Sequence, residues 1–112
     1  MAMTKVKVFM SEQGISGFEI TGHTGYAERG QDIVCAAISA LGQTAVMGLT
    51  EVIGVSCSVE IRDAFLACHL PRVMSPELWQ HSQIVLRTLA KGLTAIQAEY
   101  PDYLSIREVE QR

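Results

Sequence analysis

The sequence predicts an α/β fold of the α+β type: a mixed, mostly antiparallel sheet of about five strands, two helices on one face, and the order ββαββαβ. Three observations support this prediction. Short segments that alternate between apolar and polar residues occur in pairs before each helix. Two longer segments have helical periodicity and clear start signals. The 112 residues, 48% of them hydrophobic, suffice for one core, so we expect a single domain over 1–112.

Two alternating segments open the chain, and turn residues separate them. The first is Lys5–Met10, and the second is Phe18–His23. Side chains of a strand point alternately to its two faces, so Phe18 and Ile20 share one face of the second strand. If that face meets the core, His23 lies on the opposite face at the C-terminal end of the strand.

A polar loop, Thr24–Gln31, precedes the first helix. Asp32 is a favourable N-cap residue, which places Ile33 at the first helical position and Cys35 in the first turn. The apolar, alanine-rich sequence then continues for about five turns. Gly54 suits the C-terminal cap, so we expect the helix to end just before it.

The second half of the chain repeats this order. Alternation in Cys57–Arg62 and Leu66–Leu70 predicts a β-hairpin. Ser75 followed by a proline and a glutamate predicts the start of a second helix, whose apolar residues recur at helical spacing. Pro101 ends this helix, and Tyr103–Val109 forms a last short strand.

Composition and spacing exclude several classes of function. The formal net charge of -3 and the lack of a Lys/Arg run argue against direct nucleic-acid binding. The first residues lack the apolar core of a signal peptide, and no apolar stretch looks long and uninterrupted enough to span a bilayer, so we expect a cytoplasmic protein. Three cysteines without framework spacing do not indicate disulfides. Neither metal-ligand spacing nor a phosphate-binding motif is present, so no metal or other cofactor is expected.

Cys35 is the candidate nucleophile. A thiol in the first turn of a helix lies near the positive end of the helix dipole, which favours the thiolate. The alternative is a buried cysteine that acts as a small hydrophobic residue, the commoner role of this residue type. Cys57 and Cys68 fall on the apolar side of their strands, and we expect both to pack in the core.

His23 is the candidate general base and proton donor. A strand–loop–helix connection can return the chain so that His23 meets Cys35, and such a pair activates the sulfur as a nucleophile. His69 is the alternative base, because it too is expected on the outward face of the sheet. His81 belongs to the second helix and is expected to be solvated.

Four residues are candidates for supporting roles. Asp32 could orient the site as well as cap the helix. Ser39 lies one helical turn after the cysteine, where it either bonds to the site or packs as a small residue. Gly22 and Gly30 flank the loop; glycines let a loop close and let backbone N–H groups approach a developing oxyanion.

The residues that carry this chemistry resemble a known signature. They are Gly22-His23, Gly30, Asp32-Ile33-Val34-Cys35-Ala36-Ala37 and Ser39-Ala40. Together with the chain length and the element order, they resemble the ribosomal-processing cysteine proteases of the Prp, or YsxB-like, family. Thr24 departs from an alanine that is common in that family, and it adds a hydroxyl beside the base without removing a catalytic group.

The resemblance implies a cytoplasmic bacterial endopeptidase. Such enzymes remove a short N-terminal extension from large-subunit ribosomal protein number twenty-seven, cleaving after an aromatic residue. By position, Cys35 would be the nucleophile and His23 its base, in a homodimer without cofactor whose loop orders over substrate. Two alternatives stay open: a non-enzymatic ribosome-associated or assembly-binding module with a structural Cys35, and a thiol hydrolase of small molecules.

Overall fold

The computed structural model describes residues 3–22 and 32–111. Its elements follow the predicted order ββαββαβ. The strands are β1 (Thr4–Ser11), β2 (Gly14–Thr21), β3 (Ser58–Arg62), β4 (Phe65–His69) and β5 (Leu104–Glu110); the helices are α1 (Ile33–Met47), which continues as a π-helix over Gly48–Ile53, and α2 (Pro76–Glu99).

The strands form one mixed sheet in the order β3-β4-β2-β1-β5. Three of the four pairings are antiparallel, and only β1 and β5 run parallel. The parallel pair follows from the chain path, because α2 carries the chain across the sheet between β4 and β5. The predicted mixed, mostly antiparallel sheet is therefore what the structure shows.

Strand β2 begins at Gly14, four residues before the predicted start at Phe18. The difference arises from Gly17. Glycine is unfavourable in strands, and at this position it interrupts the alternation of apolar and polar residues that would have indicated the earlier start. A Cβ at Gly17 would lie 2.6 Å from the carbonyl oxygen of Cys68, so the close approach of β4 requires glycine there.

Both helices cover the same face of the sheet and pack against each other. Phe18 and Ile20 face this layer and are buried, as predicted. Helix α1 approaches the sheet closely at Gly42, where an added Cβ would lie 2.7 Å from Leu66 Cδ2. The buried helical side chains are Val34, Ile38, Ala45 and Leu49 from the first helix, and Ser82, Leu86, Leu89 and Leu93 from the second.

The continuous helix Ile33–Ile53 corrects one expectation. It is 21 residues long with a mean hydropathy of 1.7 in its most apolar window, so by length and composition it could cross a membrane. One such helix is weak evidence for a membrane segment, because the core helix of a globular domain passes the same test. Here Val34, Ile38 and Leu49 pack into the core beneath the helix.

Cys57 and Cys68 pack in or against this core, as predicted. Cys68 is 1% exposed, and its thiol is hydrogen-bonded to that of Cys57. Burial raises the pKa of Cys68 to about 12, and it raises the pKa of Cys57 as well. Both thiols are therefore protonated at neutral pH and poor nucleophiles.

Candidate active site

Asp32 and Cys35 together form the start of α1. Asp32 has an extended backbone, and its carboxylate accepts a hydrogen bond of 2.8 Å from the backbone N–H of Cys35. Asp32 is 8% exposed, so this bond is shielded from water. The predicted N-cap is thus present, and it fixes the half-buried Cys35 in the first helical turn, at the positive end of the helix dipole.

A recess of about 150 Å³ adjoins Cys35. It lies between the first half of α1 and the turn of the β3–β4 hairpin, and most of its lining is apolar. Its lining residues are Thr4, Ile20, Gly22, Cys35, Ile38, Ser39, Gln43, Ile61, Arg62, Ala64, Phe65 and Leu66. The candidate nucleophile therefore borders a concave surface of the kind that binds ligands in proteins.

The helical wall of the recess is a row of three side chains. Cys35, Ser39 and Gln43 are spaced four residues apart, so they lie above one another on one face of α1. Gln43 Nε2 donates a hydrogen bond of 3.1 Å to Ser39 Oγ, and both side chains are exposed. Ser39 thus borders the recess beside the thiol rather than packing in the core.

Gly22 anchors the end of β2 at the floor of the site. Its N–H donates to the carbonyl of Ala64 at 2.8 Å, and its carbonyl accepts from the hydroxyl of the buried Thr4 at 3.3 Å. Its φ of 88° lies in the left-handed region, and a Cβ would come 3.1 Å from the carbonyl oxygen of Met3. Glycine is therefore required at this position, directly before the candidate base.

The hairpin supplies the opposite wall. Ile61 pairs with the buried Leu66, so it points to the helix side of the sheet, yet it is 62% exposed at the mouth of the recess. Arg62 lies on the other face, where its guanidinium stacks 4.2 Å from the centre of the Phe65 ring. Arg62 Nε also contacts Glu60 Oε2 at 2.6 Å, so the rim of the recess carries a neutral ion pair.

The candidate histidines fall in different places. His23, together with Gly30 and the predicted loop Thr24–Gln31, lies outside the described residues. His69 ends β4 far from the recess: it follows Leu66 by three residues, about 10 Å along a strand, and its ring centre lies 4.9 Å from that of Phe9. The structure therefore does not bring His69 to Cys35.

The remaining histidine does not approach the recess either. His81 lies on α2, where its side chain is exposed as expected. Within residues 3–22 and 32–111, no three His, Cys, Asp or Glu side chains are grouped so that they could hold a metal ion. The chemistry that the described site offers is therefore that of a thiol at a helix start, bordered by polar and apolar walls.

Sequence reasoning did not single out most of the residues that line the recess, and Gln43, Thr4 and Ile61 show why. Gln43 lies four residues after Ser39, just as Ser39 lies four residues after Cys35. The same helical spacing, applied once more, would therefore have predicted Gln43. Thr4 and Ile61 carry no local signal, because only the pairing of the strands brings them to the recess.

The model for the family described as cysteine protease Prp matches residues 3–105 of the chain. The ribosomal processing cysteine protease Prp of Bacillus subtilis (strain 168) is 31% identical over 97 residues, which cover 85% of this chain and 87% of that protein.

Solved structures of the essential ribosomal processing protease Prp from S. aureus have the same fold. The complex with a covalently linked product peptide superposes with a TM-score of 0.85 at 21% identity, covering 96% of this chain and 100% of that chain. The complex with a substrate peptide gives a TM-score of 0.80 at 20% identity and the same coverage. The predicted fold class is thereby confirmed.

Proposed function

The chain belongs to the cysteine protease Prp family, and from this premise we propose that it removes an N-terminal extension from a ribosomal protein of the large subunit. The family membership confirms the predicted class of enzyme, a cysteine protease. It also favours an enzyme over the alternative of a non-enzymatic ribosome-associated module. The observation that carries the proposal is the thiol of Cys35 at the capped start of α1, beside a recess.

In the proposed mechanism, Cys35 is the nucleophile and His23 is the general base and proton donor. The thiolate attacks the carbonyl carbon of the scissile peptide bond, and His23 passes the thiol proton to the departing amine. The resulting thioester is hydrolysed by water, which His23 deprotonates. Placement of the thiol at the helix start supports this role, because the helix dipole stabilises the negative sulfur.

The supporting roles follow from the contacts of the described residues. Asp32 positions the nucleophile through the N–H of Cys35. Ser39 borders the bound peptide within the recess. Gly22, the residue before His23, is fixed by its hydrogen bond to Ala64. For Gly30 we keep the proposal made from the sequence, a glycine that lets backbone N–H groups reach the oxyanion.

We propose the extension of ribosomal protein number twenty-seven as the substrate, cleaved after an aromatic residue. The relative in B. subtilis is named a ribosomal processing protease, which supports a ribosomal target. The net charge of -3 favours the approach of a basic ribosomal protein. The cytoplasm, where ribosomes are assembled, is the proposed location.

The test is cleavage of a peptide that carries the extension and the following residues of the mature protein. We expect the wild-type protein to cleave it once, and Cys35→Ala and His23→Ala to lose at least about 1000-fold in kcat/KM. Cys57→Ala is the matched control, because it removes a thiol that lies away from the row on α1, and it should retain activity. Equal cleavage by wild type and Cys35→Ala would reject the mechanism.

We further propose that the protein is a homodimer. Ile33, Met47 and Val52 are 60%, 49% and 83% exposed, although all three are apolar and lie on one continuous helix. A partner would cover these exposed apolar side chains, and a second copy of the chain is the partner that the family resemblance implies. Sedimentation should give twice the chain mass at micromolar concentration, and Met47→Lys should shift it towards the monomer. A wild-type monomer under these conditions would contradict the proposal.

A further inference from the structure

The outer sheet face, formed by the side chains of β1–β5 that point away from the helices, is covered by no helix or strand of the part of the chain that the structure describes. Both helices pack on the opposite face. On β1, Val6 and Val8 point into the core, so Lys5, Lys7 and Phe9 alternate onto the outer face. The register of the strand pairs assigns the side chains of the other strands in the same way.

Positive charge is concentrated on the outer sheet face. Its described members include four cations and two carboxylates, although the chain as a whole has a net charge of -3. The cations are Lys5, Lys7, Arg62 and Arg107, and the carboxylates are Glu19 and Glu60. The net charge argued against direct nucleic-acid binding, but a partner that approaches the sheet meets the field of this face instead.

Two of these cations, Lys5 and Arg107, form no ion pair with a described carboxylate, and both are exposed. Lys7 Nζ lies 3.6 Å from Glu19 Oε2. Arg107 is the direct partner of Lys7 in the register of β5 and β1, and like charges at such positions repel each other. A bound anion would relieve this repulsion.

Two rings meet beside the positive charge. Phe9 of β1 and His69 of β4 both pair with Gly17 of the strand between them, so all three lie on the outer face. Gly17 has no side chain, and the ring centres of Phe9 and His69 approach to 4.9 Å. A Cβ at Gly17 would lie 2.8 Å from His69 Nδ1 and would displace that ring. The two half-buried rings therefore form a platform on which a further flat ring can stack.

Hydroxyl groups flank Lys5. Thr21 and Ser105 are its direct partners on β2 and β5, and both are half-buried on the outer face. A hydroxyl can hydrogen-bond to the 2′-hydroxyl of a ribose, the group by which proteins distinguish RNA from DNA.

We propose that the outer sheet face binds single-stranded RNA. Phosphates contact Lys5, Lys7 and Arg107, which lie within about 5–7 Å of their neighbours along and across the strands. One base stacks on the rings of Phe9 and His69. A sheet with helices on one face and accessible rings on the central strands of the other is the arrangement with which RNA-recognition domains stack bases. An acidic protein segment would use the cations but not the rings.

The first experiment measures the fluorescence anisotropy of a labelled oligouridine of about 12 nucleotides as the protein is added. We expect a Kd of about 1–100 µM at a salt concentration of about 50 mM. The logarithm of the affinity should fall with that of the salt concentration with a slope of about -2, because three phosphates release about 0.7 counterions each. No binding under these conditions, or binding that salt does not weaken, would overturn the proposal.

Charge reversal locates the binding surface. Lys5→Glu combined with Arg107→Glu should weaken binding about 10-fold or more and flatten the salt dependence. The matched control combines Arg87→Glu with Lys91→Glu, which reverses two exposed cations of α2 and changes the net charge equally. It should weaken binding by no more than about twofold. Equal losses in the two double variants would contradict a site on the outer sheet face.

Phe9→Leu tests the platform, because it removes the stacking ring and keeps an apolar side chain. Binding should weaken about fivefold or more while the salt dependence stays unchanged. An oligoglutamate peptide of the same charge as the RNA should bind the wild-type protein at least about 10-fold more weakly than the RNA. Equal binding of this peptide, or unchanged RNA binding by Phe9→Leu, would assign the face to an acidic protein segment and overturn the proposal.

Oligodeoxyuridine of the same length tests the choice of RNA, since it differs only in lacking the 2′-hydroxyl. It should bind more weakly than oligouridine, and equal or tighter binding would overturn the assignment to RNA. The inference goes beyond the proposed function and is tested apart from it. RNA binding without peptide cleavage would reject the proposed function alone, and peptide cleavage without RNA binding would reject this inference alone.

Discussion

The carboxylate of Asp32 accepts a hydrogen bond of 2.8 Å from the backbone N–H of Cys35, so the residue that begins α1 also holds the proposed nucleophile. We expect Asp32→Ala to lower the free energy of unfolding by about 1 kcal/mol, because an N–H at the helix start loses its partner. Peptide cleavage should slow in the same variant, because the first turn of α1 no longer holds Cys35 in place.

The matched variant for this prediction is Asp32→Asn. Asparagine caps helices about as well as aspartate, so stability measured by urea unfolding should stay near the wild-type value. A stable Asp32→Ala protein that cleaves the peptide at the wild-type rate would show that the cap does not position the thiol.

Gly22 and Gly54 give a second prediction. Both have a left-handed backbone, with φ values of 88° and 89°, but only at Gly22 would a Cβ meet a neighbour, the carbonyl oxygen of Met3 at 3.1 Å. We expect Gly54→Ala to cost about 1 kcal/mol in unfolding free energy and Gly22→Ala to cost more. Gly22→Ala should also reduce peptide cleavage, because it displaces the segment before His23, whereas Gly54→Ala should leave cleavage intact. Equal costs at the two positions would contradict this account.

The buried thiol of Cys68 predicts a pH dependence of stability. Burial raises the pKa of Cys68 from an ordinary 9.0 to about 12, so between these pH values the unfolded chain releases a proton that the folded chain retains. The unfolded state then binds fewer protons, and the free energy of unfolding falls as pH rises. Urea unfolding of the reduced protein from pH 8 to pH 11 should show a steeper decline for wild type than for Cys68→Ala. Parallel curves would contradict the prediction.

Gln83 fastens α2 to the start of β2. Its Oε1 accepts from the N–H of Ile15 at 2.8 Å, and its Nε2 donates to the carbonyl of Ile15 at 2.7 Å. Gln83→Ala leaves two part-buried backbone groups unpaired and should cost about 1–3 kcal/mol in thermal or urea unfolding. Gln83→Glu should cost less, since it keeps the acceptor. The exposed neighbour Gln80 is the control, and Gln80→Ala should change stability by less than about 0.5 kcal/mol.

Local signals were sufficient for most of the fold. The helix caps at Asp32 and Ser75 were predicted from residue type, and in the structure both side chains accept the expected backbone N–H. The core face of β2 followed from alternation alone. The start of β2 could not be predicted from alternation. Glycine is required at position 17 because β4 approaches closely there, although glycine by itself does not favour a strand.

The site divides in the same way. Cys35, Asp32 and Ser39 are close in sequence, so helical spacing was enough to group them. Thr4 and Ile61 lie on β1 and β3, and Gly22 directly follows β2, so the pairing of those strands decides which residues meet α1. The same pairing separates His69, the alternative base, from the recess, although alternation placed it, like His23, on the outward face of the sheet. That His23 acts as the base for Cys35 remains a prediction, which the Cys35→Ala and His23→Ala variants test.

The sequence by itself determined the order of elements, the caps, the candidate thiol and the family resemblance, because each depends on residues within a few positions of one another or on a contiguous motif. Only the tertiary structure decided which hairpin faces Cys35, how large the recess is and that an exposed Ile61 borders it. These properties depend on how closely segments that are distant in sequence approach each other. Strand pairing and the close contact of Gly42 with Leu66 determine that approach, and no local sequence pattern encodes it.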